Sequence, residues 1–378
     1  ADFKPKLSAG GNFNYTGNPL ELSIDLPSMS SPLYFQGKDL KYGATLSLSQ
    51  PIYTGGGIRA NYQKARKEKE LASNESNRIK SNTLHDADIY YWNAVAQHEL
   101  VFVAQAFRTS IQQLVDVVHH RVEVEYIDRN DLLMAEVKLN DADFQLLQTR
   151  DNAEIARLAL NSFAGVNPSD TLPIDHSVIA LKQFIPLSDA IDNAITSRPE
   201  YRIAQNKIEL QESSRKIADA RFLPQFHIGV DGSYSSPGYN FKSDLDPNYA
   251  IYAKLSIPLF EWGKRKSTRN ASSYAINMAQ QNLSKAQDKI RLEIQTAHYN
   301  YKQAIDKVKL TESSLSKASE SEQMAMERYK EGNVSIVEVI NAQLYHQQAQ
   351  VNYIQSKLNA QMAKTDFERA IYYLREKE

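Results

Sequence analysis

The 378-residue chain contains no cysteine, so disulfide bridges and thiol chemistry are excluded. It also has no charge surplus. Its 44 Lys and Arg stand against 45 Asp and Glu, a net −1, and no nucleic-acid partner is expected. No apolar run approaches the roughly 18 residues of a membrane-crossing helix, and mean hydropathy is −0.51. That does not exclude membrane-crossing β-strands, whose alternating pattern averages out to polar. Glycine and proline are missing from 58–164, 264–331 and 333–378, so the chain has long helical runs without a breaker. Gly332 is the sole interruption between 264 and the C-terminus.

What is present comes twice. ATLSLSQPIYTGGGIR (44–59) aligns with IYAKLSIPLFEWGKRK (251–266) at an offset of 207 residues. Ser49 matches Ser256, Pro51 matches Pro258, Tyr53 matches Phe260 and Gly56 matches Gly263. The same offset carries Asp131 onto Glu338 and Ala135 onto Ala342. Upstream, PKLSAGG (5–11) resembles PQFHIGV (224–230) at offset 219, so the first copy has a loop about 12 residues longer.

Each copy opens with two strands. Tyr42, Ala44, Leu46 and Leu48 alternate with Gly43, Thr45, Ser47 and Ser49, and Tyr249, Ile251, Ala253 and Leu255 alternate with polar or small residues likewise. Period two gives a strand with one apolar face. Each strand has the roughly 9–11 residues that cross a bilayer when tilted. Alternation also fits a soluble sheet, but no separate apolar helix is available to cover four such strands. Tyr15, Tyr42, Tyr234 and Tyr249 fall toward the loops, where an interfacial aromatic girdle belongs. Pro51 and Pro258 are expected at strand ends, where a missing donor costs little.

Long helices follow both strand pairs. Leu283, Ala286, Ile290, Ile294, Ala297, Tyr301, Ala304 and Val308 form one stripe with the three-or-four spacing of a coiled-coil seam. A helix over 264–331 would be roughly 100 Å long and could bury its stripe only against equally long partners. Gly332 suits a helix C-terminus that needs positive φ, and Ser335 with Glu338 reads as a capping box for a returning helix. In the first copy Glu125 holds the glycine position, and Asn130 and Asp131 are expected to supply turn and cap chemistry. The expected segments are a strand pair with a long outer loop (1–54), a helical hairpin (55–164), a proline-rich waist with a helix leading to strand three (165–222), a second strand pair (223–262) and a second hairpin (263–378).

Arg328–Tyr329, Gly332, Ser335, Glu338–Val339, Ala342–Gln343, Arg198–Pro199–Glu200, Leu223–Pro224 and the corners at Pro51 and Pro258 together resemble the TolC-like outer membrane efflux protein family. The resemblance covers essentially the whole chain. It implies an α+β membrane protein and a homotrimer in a Gram-negative outer membrane. Four strands per chain would make a twelve-stranded barrel, continued by a periplasmic helical coiled-coil barrel that is closed at its tips. A periplasmic adaptor and an inner-membrane transporter are implied as partners, with no cofactor, no metal and no enzymatic activity. Efflux and type I secretion both fit. By the same resemblance Tyr329 and Asp131 would form a gate pair. Val334 and Asn130 take the positions of a second link that cannot form as a charged contact here. Glu338 and Asn341 map to an entrance ring that keeps one of its two acids. Gly332 and Ser335 mark the adaptor groove, and Glu125 departs from the glycine of the other groove. The family usually has helices before strand one, so an N-terminal part upstream of this chain is expected.

Arg59, Lys64, Arg66 and Lys67 follow one corner, and Lys264, Arg265, Lys266 and Arg269 follow the other. Cations at a helix N-terminus oppose the macrodipole, and anionic headgroups of outer-membrane lipid would compensate them. Arg59, Lys264, Arg265 and Lys266 are the expected headgroup contacts. Gly55–Gly56–Gly57 is not followed by a phosphate-loop lysine and reads, with Gly56 and Gly263, as a strand-to-helix corner. His119 and His120 are adjacent and diverge on a helix. The rival reading is a soluble coiled-coil scaffold, which explains the helices but not two bilayer-length strand pairs.

Overall fold

The computed structural model describes residues 2–25, 27, 31–181, 191–238 and 244–372. The middle of the waist, 182–190 with Pro186, lies outside them. Six strands and six helices follow in chain order. They are β1 (Lys6–Tyr15), β2 (Glu21–Ile24), β3 (Leu33–Gln36), β4 (Leu40–Thr54), α1 (Gly57–Glu123), α2 (Arg129–Ala164), α3 (Ile191–Ser197), α4 (Pro199–Ala220), β5 (Gln225–Ser236), β6 (Asp246–Ser256), α5 (Lys264–Lys330) and α6 (Ile336–Ala370). Two compact units result: residues 1–72 with 204–282, and 73–203 with 283–378.

In the first unit an antiparallel sheet runs in the order β1-β4-β5-β6. Register fixes its faces. Leu7 opposes Leu48, Leu48 opposes Val230, and Val230 opposes Ile251, which puts all four on one side. Ala9, Leu46, Gly232 and Tyr249 form the next row. The other side carries Ser8, Ser47, Asp231 and Ala250. The apolar side is bare: Ile251 and Tyr249 are both 76% exposed, and Leu7, Phe13 and Leu46 are exposed as well. β1 and β6 each pair on one side only, so the sheet has two open edges among the described residues.

Two features differ from the sequence reading. The longer first loop is itself structured, as the hairpin β2–β3, so the first copy has two strands beyond the expected pair. Pro51 is also not a strand end. β4 continues to Thr54, with a bulge between Pro51 and Tyr53. Pairing with β1 stops at Ser49, so the missing N–H of Pro51 falls where β4 has a neighbour on one side only. Pro258 does lie beyond the end of β6.

α1 and α5 have 67 residues each and begin 207 residues apart. Their ends and those of α2 and α6 make two helical hairpins. In the second unit the α5 stripe is buried: Ile290, Ile294, Ala297, Tyr301 and Ile305 pack with Phe367 of α6. Alanines at this seam let the helices approach closely. No helix among the described residues is long and apolar enough to cross a membrane.

Candidate gate and docking site at the hairpin tips

Both hairpin turns are built alike. α1 ends with Glu125 N–H donating to Val122 O and Tyr126 N–H to Arg121 O; α5 ends with Gly332 N–H donating to Tyr329 O and Asn333 N–H to Arg328 O. This is the Schellman pattern, which places the residue after the helix in the left-handed region. Glu125 has φ 55° and Gly332 φ 82°. The glycine is required twice over, because a Cβ there would also lie 3.0 Å from the Tyr126 hydroxyl.

The returning helices are capped differently. Ser335 is the N-cap of α6, with its hydroxyl accepting from Glu338 N–H. The cap of α2 is Asp128, which accepts from Asn130 N–H at 2.8 Å. The expected cap at Asn130 and Asp131 is therefore corrected. Those residues lie within the first turn, where the Asp131 carboxylate faces the positive end of the helix dipole. Asp128 has the extended backbone of a cap, with ψ 146°.

Tyr329 is 3% exposed and sits in a cluster with Leu114, Val118, Ala135, Ile336 and Val339, with Val334 packed on it. Burial raises its phenol above the usual tyrosine range, and the Asp131 charge adds to that while Arg121 opposes it. The phenol is buried without a hydrogen-bond partner within the chain, so its pairing with Asp131 is not a hydrogen bond there. Its ring is covered instead by the Arg121 guanidinium, 4.7 Å from the centroid. Val334 and Asn130 make no link to each other; Asn130 reaches Met134. Glu338 and Asn341 are both exposed and line one groove of about 500 Å³ with Lys317, Arg328 and Val334.

The other motif residues are structural. Gln343 is buried and donates to Ser110 O and Oγ, tying α6 to α1. Ser110 also donates to Glu322 of α5, which contacts His346 of α6. Arg198 caps the end of α6 through Arg369 O and Ala370 O, and pairs with Glu200 and Glu293. Sequence reasoning missed Arg121, Tyr126 and Asp128. The offset of 207 could have drawn attention to Arg121, because it takes Arg121 onto the motif residue Arg328.

At the strand–helix corners Arg59, Lys264, Arg265 and Lys266 are all exposed, and neither α1 nor α5 has an acidic residue in its first turn. Lys264 has only a distant ion pair with Glu261, at 3.9 Å. Lys67 and Arg269 are engaged within the protein, with Glu209 and Asp219. Phe260 and Trp262 pack edge to face beside the basic run, and Trp262 is 90% exposed. Among the described residues no group of three or more His, Asp or Glu could hold a metal ion.

The profile of the outer membrane efflux protein family matches residues 1–166 and 190–371. The chain belongs to that family. It is a family of outer-membrane efflux proteins rather than enzymes, so its place is the outer membrane with an extension into the periplasm. The outer membrane efflux protein BepC of Brucella suis is 21% identical over 302 residues, which is 79% of this chain and 65% of BepC. The chain thus spans just under two thirds of that curated relative. Among solved structures, CusC superimposes with a TM-score of 0.80 at 16% identity, over 98% of this chain and 83% of CusC. The Campylobacter jejuni outer membrane channel CmeC gives 0.78 at 19%, over 98% and 78%. The open-state Neisseria gonorrhoeae outer membrane channel MtrE gives 0.77 at 17%, over 98% and 81%. At these identities the likeness is one of fold.

Proposed function

We propose that three copies of the chain close into a duct that conducts substrates out of the cell. β1, β4, β5 and β6 of each copy supply four strands of a twelve-stranded barrel. The two hairpins of each copy supply the wall of a periplasmic tunnel. A periplasmic adaptor and an inner-membrane transporter complete an efflux or type I secretion system. The observation that carries this reading is the open sheet with its apolar side bare. Single-chain membrane barrels begin at about eight strands, so four cannot close alone. Open edges within a membrane would leave backbone donors unsatisfied. Eight strands would have a filled interior, whereas a larger barrel leaves a channel. A soluble scaffold would leave the same face without cover.

The tips are the gate in this reading. Tyr329, Asp131, Asn130 and Val334 hold the two hairpins of a chain in the closed arrangement. Three copies of Glu338 and Asn341 ring the entrance and favour cations. The groove beside Gly332 and Ser335 accepts an adaptor, while Glu125 alters the matching groove of the first hairpin. Arg59, Lys264, Arg265 and Lys266 meet lipid headgroups, with Trp262 and Phe260 as interfacial anchors. The two copies related by 207 residues are internal repeats, and the five segments read from the sequence are the working domains.

Planar-bilayer conductance of wild type and of the Asp131→Ala/Tyr329→Phe double variant tests this. Small cation-selective currents that grow in the variant are expected. Protein that inserts as stable single chains and gives no current in either form would overturn the duct.

A further inference from the structure

We infer that Arg121 is the clamp that holds the two hairpin tips of one chain together, a positioning residue for closure that works from the first hairpin upon the second. Its Nη2 donates to the backbone carbonyl of Lys330 at 2.7 Å. Lys330 is the last residue of α5, and its carbonyl is one of those a helix end leaves without an internal partner. A guanidinium there meets the negative end of the helix dipole. The same guanidinium lies 4.7 Å from the ring centroid of Tyr329 and 5.4 Å from that of Tyr126. Tyr126 in turn places its hydroxyl over Gly332. One side chain thus touches the end of α5, the buried tyrosine of the second hairpin and the exposed tyrosine of the first. Its counterpart at the offset of 207, Arg328, does nothing comparable: it is exposed and lines the outer groove. The link is therefore one-sided. It stands where the tip has Val334 and no other side chain of the second hairpin reaches the first with a charge-assisted bond among the described contacts. A lysine could reach the carbonyl but could not present a plane to both rings.

The inference rests on the tip-gate reading for its functional consequence, but not for the contact itself. Two readouts separate them. Hydrogen exchange at the amides of Glu331, Gly332 and Asn333, which are bonded to Glu327, Tyr329 and Arg328 carbonyls, reports the contact. Bilayer conductance reports the gate. In Arg121→Met those amides should exchange about tenfold faster or more, the shift expected for a lost charge-assisted hydrogen bond. Open probability should rise by a similar factor, with thermal midpoint and assembly unchanged. Arg121→Lys should recover part of both effects. Unchanged exchange in Arg121→Met overturns the clamp. Faster exchange with unchanged conductance, while Asp131→Ala/Tyr329→Phe opens the channel, overturns its part in closure. Unchanged conductance in every tip variant, with exchange accelerated, supports the contact and moves the gate elsewhere.

Discussion

The two copies of the repeat adopt the same unusual backbone with different residues. At the strand–helix corner, Gly55 has φ 61° and its counterpart Trp262 has φ 45°. At the hairpin tip, Glu125 has φ 55° and its counterpart Gly332 has φ 82°. Each copy spends glycine at one site and a large side chain at the other. The difference is crowding. A Cβ on Gly55 would lie 2.7 Å from both Ala220 O and Leu223 Cβ, where the end of α4 turns into β5. Trp262 stands almost free of contact. At the tip Gly332 lies under Tyr126, whereas Glu125 is exposed. A left-handed residue costs about 1–2 kcal/mol with a side chain present. This chain tolerates that cost where solvent takes the side chain and keeps glycine where a neighbour would not.

That account has graded consequences. The largest belongs to Gly55→Ala, where backbone strain adds to overlap with a main-chain oxygen that cannot rotate away. A loss of about 3 kcal/mol is expected, read as a lowered thermal midpoint and poor folded yield in detergent. Gly332→Ala meets only the end of a tyrosine side chain. Its loss should stay at about 1–2 kcal/mol, and removing the obstruction with Tyr126→Ala should recover part of it in a double-mutant cycle. Equal losses at the two glycines would break the crowding argument. Below these come the caps. Asp128→Ala and Ser335→Ala should each cost about 1 kcal/mol. Local exchange at the first turn of α2 should respond to the former alone, and that of α6 to the latter alone.

These positions also mark how far the sequence could be read. Long helices, strand alternation, the offset of 207 and the α5 stripe were legible because each is a periodic signal. The positive φ at Gly332 and its cap at Ser335 were legible because local chemistry demands them. The bulge after Pro51 was not, since it depends on where the pairing of β4 with β1 stops. Nor was the cap at Asp128, because aspartate and asparagine stand at 128, 130 and 131 and only the backbone distinguishes them. Arg121 was hidden for a different reason. Its partner is a backbone carbonyl more than 200 residues away, which carries no sequence signature. The family motif contains Arg328, whereas the arginine that reaches across is its copy in the other hairpin.

The smallest expected effect tests the comparison from its other side. If Glu125 keeps its left-handed backbone only because solvent receives the side chain, glycine there should relieve strain without filling or emptying any space. The relief is offset by the greater freedom that glycine has in the unfolded chain, about 0.5–1 kcal/mol. Glu125→Gly should therefore stabilise the first tip by no more than about 0.5 kcal/mol. The amides of 125 and 126, bonded to Val122 O and Arg121 O, should exchange slightly more slowly. A marked stabilisation would mean that Glu125 is strained beyond its φ. A loss would mean that its side chain holds a partner that offsets the strain, and the symmetry between the exposed sites Glu125 and Trp262 would fail.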